Sequence, residues 1–221
     1  MNTKTTETFN FYDSENESIQ KILAGFNFDA EISKKNKAII IYNYVRDHWY
    51  YSPLRISLIE TDSLASNLVK RKKGHCIDKS IILITLLKAA DIPARIGLAK
   101  IKNHIAIEQV VQFLGTDVLV PHGYVEIFLE EKWIKATPAF NKSLCEKLNV
   151  HVLEFNGEED SIFQEYCAES ENKFMEYIED YGTFETNPLD KIETLLLEHY
   201  PILNQIGFKE NRLIDLENFA L

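Results

Sequence analysis

Along the first two thirds of the chain the spacing of hydrophobic positions changes character twice. Between Asp29 and Tyr51, Ala38, Ile41, Tyr42, Val45 and Trp49 recur at intervals of three and four, the repeat of a helix with one apolar face, and Pro53 ends it. Asp62 or Ser63 can cap a short helix through Val69, with Leu64, Leu68 and Val69 as its apolar members, before Gly74 breaks the chain. Residues 76–90 are then apolar on nearly every side. A helix of that pattern is wrapped by other elements, so it is the expected central helix, closed by Asp91 and Pro93.

After Pro93 the period falls to two. "ARIGLAKI" (94–101), "YVEIFL" (124–129) and "KWIKATP" (132–138) read as strands, and the short "EEK" between the last two predicts an antiparallel hairpin. The stretch "IAIEQVVQFL" (105–114) suits helix or strand equally. Mixed segments follow Asn141, with one further helix predicted from Pro188 to His199. Residues 1–17 read as a weakly held end. Helices followed by a run of strands place the chain in the α+β class.

Composition bounds the rest. A chain of 221 residues with 45% hydrophobic content can bury a substantial core, and one domain with an appendage is the expected plan. Residues 143–221 carry 18 acidic against 5 basic side chains, a net of −13, whereas residues 1–142 carry 16 against 19, a net of +3. The expected division is an N-terminal extension (1–27), a core (28–142) and an acidic C-terminal extension (143–221) packed on that core. Such acidity repels phosphate backbones and argues against a nucleic-acid partner. The one basic run, Lys70 to Lys73, reads as a solvated loop or helix end, with a binding role as the alternative. No apolar run approaches the roughly 18 residues of a membrane span, and the first residues contain no apolar signal core, so a cytoplasmic location without membrane partners is expected. Cys76, Cys145 and Cys167 are widely spaced, which predicts reduced thiols rather than a disulfide framework.

Cys76 opens the apolar helix. Partial positive charge and unpaired N–H groups at a helix N-terminus favour a thiolate and can hold an oxyanion. A cysteine nucleophile also needs a base. His75 is adjacent, and neighbours diverge on a helix, so it is expected to point away. His122 opens the strand "HGYVEIFL", where alternation sets His122, Tyr124 and Glu126 on one face. A short hairpin loop brings Thr137 within about two residues of the position opposite His122. Asp78 lies in the helix's first turn, where a carboxylate meets the dipole, as a structural or thiol-tuning group. Cys145 and Cys167 are expected to be structural, and Trp133 to pack in the core beside the hairpin. A zinc site built from His75, Cys76, His104 and His122 lacks chelating spacing, so no metal and no cofactor are expected.

Taken in order, "GHCID" opening an apolar helix, "LLKAADIPARI" and "HGYVEIFLEEKWIKATPAF" resemble the transglutaminase-like superfamily of papain-fold cysteine enzymes, over about residues 63–141. The family pattern falls on Gly74, Cys76, Asp78, Ile92-Pro93-Ala94-Arg95, His122, Val125-Glu126 and Trp133. The resemblance implies a papain-like core in which a central buried helix carrying the cysteine packs on an antiparallel sheet carrying the histidine. It also implies Cys76 as nucleophile and His122 as general base and acid. Their orienting partner would be Thr137, four residues after Trp133, so that Thr137-Pro138 stands where the family usually has Asp-Pro. A hydroxyl can hold an imidazole tautomer but supplies no full charge, and in serine enzymes loss of the acid's function costs about 10⁴ in rate. Papain-like enzymes use a neutral Asn there, and Asn141 or Glu126 could also serve.

The implied activity of such a small, bacterial-type member is cysteine-dependent acyl transfer on a carboxamide or peptide bond of a protein, peptide or amide substrate, with hydrolysis favoured over transamidation. The missing acid motivates the alternative of a catalytically retired fold acting as a binding or scaffolding module. The sequence sets neither the substrate's identity nor an oligomeric state.

Overall fold

The computed structural model describes residues 9–103, 108–162 and 175–216. In chain order these form α1 (Glu17–Gly25), α2 (Lys34–His48), β1 (Tyr50–Tyr51), β2 (Arg55–Ser57), a 3-10 turn (Glu60–Ser63), α3 (Ala65–Leu68), β3 (Lys73–Gly74) and α4 (Cys76–Ala89). Then come β4 (Ala94–Asn103), α5 (Glu108–Leu114), β5 (Val118–Leu129), β6 (Lys132–Ala136), α6 (Lys142–Leu148) and β7 (Met175–Phe184). The chain continues through α7 (Leu189–His199), α8 (Pro201–Gln205), α9 (Phe208–Asn211) and β8 (Leu213–Asp215). The α+β class follows directly from this order.

Helix α4 is central because it has no polar face to give to water: from Cys76 to Leu87 every residue but Asp78 is buried. Helices α1, α2 and α3 pack against it, as do strands β4 and β5. Even Lys79 is fully buried, its Nζ donating to the carbonyls of Arg46 (2.8 Å), Trp49 (2.8 Å) and Ala139 (2.7 Å). Burial pushes its pKa down to about 7, while the three carbonyl dipoles favour the ammonium. That one side chain ties α4 to the end of α2 and to the segment after β6. Helix α2 starts at Lys34, later than the apolar repeat suggests, because the Ser33 side chain caps it by accepting from the N–H of Asn36.

The main sheet is antiparallel, in the order β6-β5-β4-β7. The β5–β6 hairpin turns on Glu130 and Glu131, both left-handed (φ 48° and 65°), the backbone of a two-residue turn whose twist matches the strands. Gly97 on β4 is required by close approach: the Tyr124 ring of β5 lies over it, 2.1 Å from where a Cβ would stand. Residues 108–114 resolve as helix α5.

Two sequence expectations are corrected. The described part of the N-terminal segment is held rather than frayed, since Phe11 and Tyr12 are buried and Asp13 accepts from the N–H of Ser66. Trp133 is not core: it is 38% exposed, with the Phe128 ring tilted against it (centroids 5.2 Å apart) and the Arg95 guanidinium 4.1 Å above its ring. Residues 175–184 form a strand that the sequence did not reveal, and β8 pairs with β2. No helix among the described residues is long and apolar enough to cross a membrane.

Candidate active site

Helix α4 begins where His75 leaves helical geometry (φ −82°, ψ −179°) and caps it. The His75 Nδ1 accepts from the N–H groups of Ile77 (3.1 Å) and Asp78 (3.4 Å), and the Asp78 carboxylate accepts from the His75 N–H (3.3 Å). This reciprocal box satisfies the N–H groups of His75, Ile77 and Asp78. It also corrects the expectation that His75 points away: divergence of neighbours applies within a helix, and His75 lies just outside one. Asp78 is thereby held at the helix start.

Cys76 is the first helical residue and only 8% exposed. Its Sγ accepts from the N–H of Gly123 at 3.3 Å, so β5 lies directly on the first turn of α4. Only glycine permits that approach, because a Cβ on Gly123 would stand 2.8 Å from Ile77 Cγ1 and 3.0 Å from its Cα. His122 precedes this glycine on β5, opposite Ala99 of β4, and is 1% exposed. Cys76, His75 and His122 line a single narrow cavity of ≈ 60 Å³.

The electrostatics differ from the sequence expectation. Burial raises the Cys76 pKa to about 11, outweighing the backbone N–H groups of Gly123, Ile77 and Cys76 that favour thiolate. Burial, with a smaller contribution from His75, lowers His122 to about 4. The resting pair is therefore a neutral thiol and a neutral imidazole.

Neither His122 ring nitrogen has a hydrogen-bond partner among the described residues. The structure brings His122 and Cys76 to one cavity, but it gives none of the three candidate orienting groups a hydrogen bond to the imidazole. Thr137 Oγ1 lies 3.4 Å from the Tyr177 hydroxyl. Glu126 accepts from Arg95 (Nε 2.8 Å, Nη2 2.7 Å), and Asn141 joins the Tyr51 N–H to the Ser143 hydroxyl. What does approach His122 is Tyr177 of β7, edge to face with ring centroids 6.3 Å apart, and Tyr177 is the group that touches Thr137 as well. Sequence reasoning missed Tyr177 because the strand carrying it had not been found.

Among the described residues no group of three or more His, Cys, Asp or Glu could hold a metal ion, and His104 lies outside those residues. Cys145 is buried with its sulfur 3.9 Å from the Phe140 carbonyl, and Cys167 lies outside the described residues. The basic run contributes Arg71, Lys72 and Lys73 to a separate cleft of ≈ 480 Å³ with Arg55, Asp78 and Asp215. There Asp62 pairs with Arg55 at 2.7 Å and with Arg71 at 3.8 Å, so much of the positive charge is already matched.

The sequence profile of the transglutaminase-like superfamily matches residues 27–138, half of the chain. No curated protein matches the chain. One similar solved structure is described as a "putative cysteine protease" from Cytophaga hutchinsonii, 18% identical, with a TM-score of 0.42 over 59% of this chain and 39% of that one. Another, a "putative protease" from Parabacteroides distasonis, is 15% identical, with a TM-score of 0.37 over 57% of this chain and 27% of that one. The chain thus spans well under half the length of either.

Proposed function

Because the chain belongs to the transglutaminase-like superfamily, we propose that it is a cysteine acyl-transfer enzyme acting on carboxamide or peptide bonds, with Cys76 as nucleophile and His122 as the proton carrier. The observation that carries this reading is the convergence of α4 and β5 at Gly123, which sets the Cys76 sulfur beside the strand that bears His122, on one cavity.

In the proposed sequence Sγ attacks the carbonyl carbon as its proton passes to the neutral imidazole. The Cys76 backbone N–H, the first-turn donor that the His75 cap does not take, stabilises the oxyanion. The C–N bond then breaks, the imidazolium protonates the departing amine, and a thioester remains. Water, deprotonated by His122, attacks the thioester; the C–S bond breaks, acid is released, and the thiol regains its proton. An amine in place of water would give transamidation, and hydrolysis is the favoured outcome. From a thiol–imidazole resting pair, base and nucleophile both start uncharged and separate charge only during attack.

A second reading has its own observation. Among the described residues nothing holds the His122 tautomer, which a retired site serving as a binding module would tolerate. Turnover of a panel of peptide amides separates the two. Cys76→Ser and His122→Gln are each expected to lower kcat/KM by at least about 10³ without loss of fold. Absence of turnover by the wild-type chain across the panel, or turnover indifferent to both substitutions, would favour the retired fold.

A further inference from the structure

The cavity at Cys76 is walled by more than the pair. Facing Cys76 and His122 are Leu114 of α5 and, from α7 and its end, Ile192, Leu196 and Tyr200. Those last three residues lie beyond residues 27–138, the stretch that matches the family profile. Two polar side chains on it are already committed. Tyr200 accepts from the N–H of Val120 (2.6 Å) and donates to the Val118 carbonyl (3.0 Å), while His75 Nδ1 is held by the first turn of α4.

From this geometry we infer that the cavity is the subsite for the side chain of the residue whose carbonyl is attacked, and that it selects a small aliphatic side chain, with Leu196 and Ile192 setting its size. The inference rests on the acyl-transfer reading and names its substrate class. A cavity of ≈ 60 Å³ favours a side chain of a few carbon atoms over an aromatic ring. A carboxylate or ammonium entering it would lose its water and meet mostly aliphatic walls, the His122 nitrogens being taken up by the reacting thiol and the leaving group. An aliphatic group loses nothing, and its transfer from water contributes to binding.

Peptidyl chloromethyl ketones differing only in the last side chain (Ala, Val, Leu, Phe, Glu and Lys) test this on the full chain. In each reaction Sγ forms a bond to the methylene carbon, chloride leaves, and the thiol proton goes to His122 or solvent; labelling of Cys76 is read by peptide mass spectrometry. The Ala, Val and Leu reagents are expected to label at least about tenfold faster than those with Glu, Lys or Phe. Leu196→Ala should raise the Phe-to-Val rate ratio at least about fivefold, and the volume-conserving Leu196→Met should leave it within about twofold. Labelling of Cys76 without preference, or with the charged reagents fastest, overturns the subsite and leaves the acyl-transfer reading intact. An unchanged ratio in a folded Leu196→Ala chain removes α7 from the selection. No labelling of Cys76 by any reagent overturns the subsite and the catalytic reading together.

Discussion

At Cys76 two effects oppose each other. The helix N-terminus and three backbone N–H groups favour the thiolate, and removal from water favours the thiol. With Cys76 only 8% exposed the second wins, and burial pushes the thiol up to about 11. Its pKa is raised, so the thiolate fraction at neutral pH is small and grows tenfold per pH unit up to that value. Iodoacetamide alkylation of Cys76 is therefore expected to be slow at pH 7 and to climb through pH 10, with no plateau below neutrality. Fast alkylation at pH 6 would mean that an ion pair with His122 already exists. Sequence reasoning reached Cys76 and His122, since helix onset and strand alternation are local patterns. It missed the reversal of the thiol's titration, because burial depends on β5, which lies on the first turn of α4 and comes from far along the chain.

The elements show where local pattern suffices. Helices α2, α4 and α7 and the β5–β6 hairpin all follow from apolar spacing and turn length. Strand β7 does not, since as an edge strand it carries Glu176, Glu179 and Asp180 and offers little alternation; only its pairing with β4 defines it. With β7 hidden, Tyr177 was hidden too, and Thr137 stood as the natural partner for His122. The hairpin offers a test at this scale. Glu130 and Glu131 sit in left-handed backbone that strains an ordinary side chain. Replacing the pair by Asn-Gly should stabilise the fold by roughly 1 kcal/mol or more in urea unfolding, the exposed 3.9 Å Lys35–Glu130 contact being a minor loss. A fall in stability would contradict the turn assignment.

Over the whole molecule, the acidic C-terminal part is structurally joined to the core. Strand β7 extends the sheet, β8 pairs with β2, and Leu189, Ile192, Leu195, Leu196, Tyr200 and Leu203 are buried. At about 1.5 to 3 kcal/mol per buried aliphatic side chain, that set rivals the 5 to 15 kcal/mol by which a domain is stable. A chain ending at residue 142 is accordingly expected to lose cooperative thermal unfolding, and an unchanged Tm would refute the joint core. Charge counts alone could not reveal this, because most of the described acidic residues face water while aliphatic residues between them turn inward. The resemblance likewise stopped near residue 141, before the helix that walls the candidate site.

All of these scales meet at one claim, that Cys76 carries an acyl group. The most direct measurement is intact-mass and peptide mass spectrometry of the chain quenched in acid during reaction with an activated acyl donor such as a p-nitrophenyl ester. A thioester adduct on Cys76 is expected that decays in water, disappears in Cys76→Ala and accumulates more slowly in His122→Gln. An adduct on Cys145 or Cys167 instead, or none at all on the folded chain, would contradict it.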